Sequence, residues 1–191
     1  MKYAKILGLL AIAVAALMAF AGAASADQVT SPTGTTYTST IAATAEGHAV
    51  LDNPIAKIEC ASAVEGKVEE HGAGKVVKGN ISALSFTGCT NEWHVTVVAK
   101  GSLTVETSTT GYNGTVKSSG ATVEATRFGV VCRYATNNTT VGTATGGSPA
   151  TMHISAAIPF HSGSFLCGEG ATTWTGSYKV NTPSSLYVDN T

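Results

Sequence analysis

Charged residues are scarce in this chain, 12% in all, and its 11 lysines and arginines form no cluster. Affinity for nucleic acid rests largely on such residues neutralising phosphates, and capture by an anionic lipid surface needs a similar basic density. Both classes of partner are excluded. Aromatic residues reach only 7%, too few for the girdles of a lipid-facing barrel, and Thr191 stands where such a barrel has a terminal aromatic. No C-x-x-C pair occurs among the cysteines, so the close spacing of a zinc site is missing. The histidines, His48, His71, His94, His153 and His161, never fall at i, i+4, and no carboxylate joins them in a metal-binding pattern. On alternating strands His94 and His153 lie beside the apolar positions and read as exposed. A G-x-S-x-G elbow is also missing; His161-Ser162-Gly163-Ser164 reads as a turn ahead of a strand at Phe165. Beyond residue 26 no apolar stripe of period 3.6 has useful length, which removes amphipathic helices.

One long apolar run does exist, from Ile6 to Phe20. Lys2 and Lys5 precede it and Ala24-Ser25-Ala26 follow it, the three parts of an export signal. At about fifteen residues it is short of the ~20 that a membrane-spanning helix needs. The expectation is cleavage after Ala26, leaving Asp27 first in a secreted or cell-surface chain. Loss of Lys2 and Lys5 takes the net charge from −1 to −3.

An even number of cysteines behind an export signal reads as disulfides, because the exported compartment is oxidising. Cys60, Cys89, Cys132 and Cys167 allow three pairings. Sequential pairing, Cys60–Cys89 and Cys132–Cys167, keeps both loops near thirty residues and is the expected one. Each bridge should stabilise by roughly 3–4 kcal/mol in the chain-entropy account.

Glycine, serine and threonine dominate the rest, and leucine is scarce. Cβ branching in threonine and valine favours pleated strands, and glycine supplies tight turns. Strand-like stretches recur every eight to twelve residues, punctuated by Thr87-Gly88, Lys100-Gly101, Thr110-Gly111, Ser119-Gly120 and Phe128-Gly129. Asn113-Gly114 reads as a type I′ hairpin turn. Met152, Ile154, Ala156 and Ile158 alternate with polar residues, as do Trp174, Gly176, Tyr178 and Val180, so one face is buried and one wet. The expected fold is all-β, an antiparallel β-sandwich or Greek-key barrel. Residues 27–45 form a Ser/Thr-rich N-terminal segment, a stalk or a first strand, and residues 46–191 a single β-domain.

The halves of that domain echo each other at about 58–106 and 130–189. Ile58-Glu59-Cys60, Ile81-Ser82-Ala83, Phe86, Gly88, Cys89 and Trp93 correspond to Val130-Val131-Cys132, Ile154-Ser155-Ala156, Phe160, Gly163, Cys167 and Trp174. Val97 to Glu106 then aligns without a gap on Val180 to Asp189. The pattern suggests an internal duplication with one disulfide per unit.

Glu59, Glu65, Glu69, Glu70, Glu92, Glu106 and Glu124 read as wet-face strand residues rather than a catalytic pair. No catalytic residue, cofactor or metal ligand is assigned, and the expected function is a non-enzymatic structural or adhesion domain. Residues 28–44 are the candidate for self-association, added as a strand to a neighbour's sheet edge. The alternative is an extracellular binding module for polysaccharide or an apolar ligand. Trp93 and Trp174, with Tyr112 and Tyr187, are its candidate stacking platform.

The half-patterns Cys60…Phe86-Thr87-Gly88-Cys89 and Val131-Cys132-x-Tyr134…Phe165-x-Cys167, with the closing Thr182-Pro183…Leu186-Tyr187-Val188, resemble a group of exported bacterial β-proteins common in soil actinobacteria. That group is loosely similar to proteins named activators of alkane oxidation. The resemblance covers most of the chain beyond the signal, carries cysteines, glycines and strand apolars, and brings no catalytic residue across. It implies an extracellular or envelope-associated role at an interface with hydrophobic material.

Overall fold

Cβ-branched residues at alternate positions hold the chain extended over most of its described length. The computed structural model describes residues 26–70, 72–73, 76–107 and 112–189. The export signal read at residues 1–26 lies, except for Ala26, outside the described residues, as does His71. The strands are β1 (Ala26–Thr30), β2 (Thr40–Ala45), β3 (Ala49–Asn53), β4 (Ala56–Glu70), β5 (Gly72–Ala73) and β6 (Val77–Thr87). Then come β7 (His94–Ala99), β8 (Ser102–Thr107), β9 (Asn113–Ser119), β10 (Thr122–Arg127), β11 (Val130–Ala135) and β12 (Thr139–Thr145). Last are β13 (Thr151–Ile158), β14 (Phe160–Gly163), β15 (Thr172–Thr182) and β16 (Tyr187–Asp189).

Among the described residues, β2, β4, β6, β8, β9, β12, β13 and β15 each pair antiparallel with the next, and β15 pairs back onto β2. The result is a closed ring of eight staves. β3 continues the β2 stave, since both lie between β4 and β15. Staves that follow one another in the chain are neighbours in space, so the connectivity is up-and-down rather than Greek-key. Tight hairpins such as Pro54-Ile55 and Phe128-Gly129 leave no chain with which to cross over.

Four neighbouring staves continue past the ring. β8, β9, β12 and β13 run into β7, β10, β11 and β14, which form a separate sheet in the order β14-β11-β10-β7. This sheet shares one core with β3, β4, β6, β13 and β15. The molecule is therefore a barrel at one end and a sandwich at the other.

The bends between ring and sandwich sheet lie in a row. Gly101, at φ 67°, packs so tightly on the Ser119–Ala121 backbone that a Cβ would collide with it. Gly120 N–H donates to the Thr136 carbonyl and Thr136 N–H to the Ala121 carbonyl, both at 2.9 Å, and Ala135 N–H donates to the Pro159 carbonyl at 3.1 Å. Ser118 and Thr136 hydroxyls are hydrogen-bonded at 3.0 Å inside the bend. Lys100-Gly101 and Ser119-Gly120, which read as turns in the sequence, are thus bends within continuous staves.

β1 and β16 pair with each other across the barrel end, where Val29, Leu186 and Val188 are buried. The Asp27 carboxylate accepts hydrogen bonds from the Thr107 hydroxyl and backbone N–H there. The Ser/Thr-rich segment 27–45 thus contains a stave, β2, and the boundary read at residue 46 falls inside the β2–β3 stave. Within 28–44, the stretch singled out for self-association, β1 and β2 pair with strands of their own chain. Asn113-Gly114 opens β9 instead of forming a hairpin turn, because its glycine is where the Val105 and Val188 side chains crowd the backbone. Phe165 lies in a 3₁₀ turn, Phe165–Cys167, rather than a strand, with Ser164 Oγ accepting from Leu166 N–H.

The disulfides are Cys60–Cys89 and Cys132–Cys167, 29 and 35 residues apart in sequence. The two echoing units fall four staves apart in the ring. Cys60 and Cys132 lie near the starts of the β4 and β11–β12 staves, and Cys89 and Cys167 follow the next stave in each case. Val97–Glu106 spans β7 and β8, whereas Val180–Asp189 leaves the ring after β15 and turns inward as β16.

Among the described residues no helix is long and apolar enough to cross a membrane. The ring exposes Glu65, Lys67, Glu69, Thr143, His153 and Lys179 outward and buries valines and alanines inward, the reverse of a lipid-facing barrel.

Candidate functional site

Inward positions of a barrel this size are ordinarily filled by side chains. Here several are too small to meet across the ring: Ala43 on β2, Gly66 on β4, Gly79 on β6, Ala144 on β12 and Ala150 before β13. They leave a chamber of about 150 Å³ walled mainly by Val, Ile, Leu, Ala and Met side chains, with Lys67, Asn80, Thr145 and Thr151 also at its wall. Val29, Leu186 and Val188, brought in by β1 and β16, line it at the barrel end.

The glycines are required by the backbone. A Cβ on Gly66 would stand 2.5 Å from the Asn80 carbonyl oxygen, and one on Gly79 3.0 Å from that of Lys67. The register between β4 and β6 slips between Glu65 and Gly66, a bulge that coils the sheet and lets the ring close. Curvature thus costs the interior two side chains.

Next to the chamber, aromatic rings bound a second, smaller void of about 20 Å³, which lies under Trp174 and Tyr178. Trp174 meets Phe86 edge-on at 6.0 Å and Tyr178 at 6.3 Å. Gly176 makes room for the Tyr178 ring, whose Cε2 would be 3.2 Å from a Cβ there. Tyr178 is fully buried and its hydroxyl donates to Ser62 Oγ at 2.9 Å, so this polar pair satisfies itself. Among the described residues, the buried polar side-chain atoms without a partner, including Trp93 Nε1, Tyr134 Oη and Thr172 Oγ1, belong to residues outside the chamber wall. The chamber wall is almost wholly apolar.

Burial pushes the Tyr178 and Tyr134 phenols above their ordinary value of 10.0. A phenol whose folded pKa is raised leaves stability intact below about pH 10, and stability falls as pH rises toward the folded pKa. In an alkaline titration followed at 295 nm, both phenols should ionise late and together with loss of near-ultraviolet circular dichroism. Tyr178→Phe should remove one phenol from that late phase. Ionisation of Tyr178 in an intact fold would contradict its burial.

The tryptophans are not a shared surface platform. Trp93 is 5% exposed and lies just before β7 in the sandwich sheet, whereas the half-buried Trp174 lines the smaller void from β15. Tyr112 and Tyr187 meet edge-on at 4.9 Å near the barrel end. His94 and His153 are exposed, and His153 Nδ1 lies 3.1 Å from Ser177 Oγ. Several carboxylates are held in surface ion pairs: Glu124 with Arg133 and Glu106 with Lys117 at 2.7 Å, and Glu59 with Lys57 at 2.9 Å. Hydrogen bonding to Lys57 lowers the Glu59 pKa. No group of three His, Cys, Asp or Glu able to hold a metal occurs among the described residues.

The chamber residues went unnoticed in the sequence because alanine and glycine at alternate strand positions look like weak strand formers. Their concentration at inward positions is the one signal that could have marked them. The chain matches no protein-family model, no curated protein and no solved structure.

Proposed function

We propose that this protein is an exported, non-enzymatic binding module that takes a small apolar molecule, or the end of an alkyl chain, into its barrel. The chamber of about 150 Å³ carries this reading. An apolar void of about that size stays dry and accepts benzene or xenon. Lys67, Asn80, Thr145 and Thr151 contribute little to the chamber wall, which is almost wholly apolar, so an apolar ligand fits it better than a polysaccharide. The disulfides support the exported setting.

Thermal unfolding with and without benzene, and with short alkanes of increasing length, tests the reading. Ligands that fit should raise the midpoint in proportion to occupancy, and longer chains should cease to do so. Ala43→Leu places three more carbons in the chamber and should abolish the shift while leaving the unliganded protein at least as stable. A benzene shift that survives Ala43→Leu, or no shift with any apolar ligand, overturns it.

A further inference from the structure

The sandwich end of the molecule exposes large apolar side chains: Phe165 at 91%, Phe128 at 79%, Leu166 at 51% and Ile55 at 45%. They sit on three connections that the strand registers bring to the same end. Asn53 pairs with Ala56 across the turn bearing Ile55, Arg127 pairs with Val130 across the turn bearing Phe128, and Cys132 pairs with Gly163 just before Phe165.

These tips are held outward. Ser164 N–H donates to the Val131 carbonyl at 2.8 Å, and the Cys132–Cys167 bridge ties the far side of the turn to the same strand. That strand, β11, begins right after Phe128-Gly129. The next segment reaches the third tip, since Gly168 and Gly170 lie against Pro54.

Phe128 adds an independent sign of purpose. Its φ is 48° and that of Gly129 is 80°, a two-residue hairpin in which both central residues are left-handed. Asn or Asp followed by Gly suits such a turn, whereas a bulky ring there is strained. The strain places an apolar ring at the outermost point of the hairpin. Such strain points toward a function.

We infer that this end docks on an uncharged lipid surface, with Phe128, Phe165, Leu166 and Ile55 entering the apolar phase. Four side chains on separate turns form a convex, broken patch, well short of the roughly 800 Å² per partner of a stable protein interface. A lipid surface moulds itself around separate points. The charges carried by the same turns and their flanks are of both signs, with Lys57 paired to Glu59 at 2.9 Å, Arg127 next to Phe128 and Glu169 two residues past Cys167, so nothing favours anionic lipid. The Arg127 guanidinium carbon stands 4.7 Å from the Phe128 ring centroid, a cation placed where it can stay among headgroups as the ring enters.

Flotation of the purified protein with phosphatidylcholine vesicles tests this. The protein should float with the vesicles, equally at low and at high salt because charge is not the driving force. Phe128→Asn with Phe165→Ser should reduce the vesicle-bound to free ratio about tenfold or more for each phenylalanine removed. Phe128→Asn alone should leave the melting temperature unchanged or raise it, which separates loss of binding from loss of fold. Benzene binding in the barrel should be unaffected in the double variant. Absence of flotation, flotation that the double variant retains, or a concentration-dependent dimer that the double variant abolishes would each overturn the inference.

Discussion

Replacing Cys132 and Cys167 together by alanine should lower the free energy of unfolding by roughly 4 kcal/mol, the chain-entropy value for a loop of this length. The loop closed is 35 residues in sequence separation, and the equivalent change at Cys60 and Cys89, 29 apart, should cost slightly less. Alanine is the right probe because Cys132 and Cys167 are completely buried, and serine would leave unpartnered hydroxyls there. The first bridge anchors the turn that carries Phe165 and Leu166 to β11, so vesicle binding should weaken along with stability. Barrel ligands should still shift the melting temperature, because the bridge lies at the opposite end from the chamber. Urea unfolding of the two double variants checks the ordering. A loss below about 1 kcal/mol would mean that the denatured chain already holds these segments together.

Gly101→Ala should also destabilise sharply, by about 3 kcal/mol or more, and leave little folded protein. Two effects combine at this position. A left-handed φ of 67° disfavours any Cβ by roughly 1–2 kcal/mol. The new methyl would also collide with the backbone of Ser119, Gly120 and Ala121 in the adjacent bend, and backbone cannot move aside without breaking the row of bends. Gly34→Ala is the control: its φ is 76° but nothing lies within 4 Å of the added Cβ, so only the conformational cost of about 1–2 kcal/mol applies. Equal effects at the two positions would show that the close packing of the bends contributes nothing.

Gly101 also shows where local reading stops. A Lys-Gly or Ser-Gly pair between apolar alternations signals a break in a strand, and that much is local chemistry. Whether the chain reverses there or bends and continues depends on which strand lies alongside. At Phe128-Gly129 the next strand folds back on its own predecessor; at Gly101 and Gly120 the partners are the neighbouring bends. Counting each glycine break as a turn yields about ten short strands, where eight staves exist. Asn113-Gly114 misleads in the same way: the dipeptide fits a hairpin, but the side chains of Val105 and Val188 need the space of a missing Cβ at the start of β9.

The tryptophans make the same point about the site. An indole on an alternating strand is equally compatible with a surface platform and a core position, because alternation says which residues share a face and not what that face meets. Trp93 meets the sandwich core and the half-buried Trp174 lines the smaller void, so the two do not form one stacking surface.

What the amino-acid order determined unaided is whatever depends on near neighbours: extended backbone from branched side chains, one buried face from period two, and the choice of cysteine partners from short loop closure. Ring closure, the inward turn of β1 and β16, and the empty chamber between Ala43, Ala144 and the glycines were decided only in three dimensions. They depend on how far strand curvature holds opposite walls apart, and that distance is set jointly by all eight staves, so no single segment encodes it.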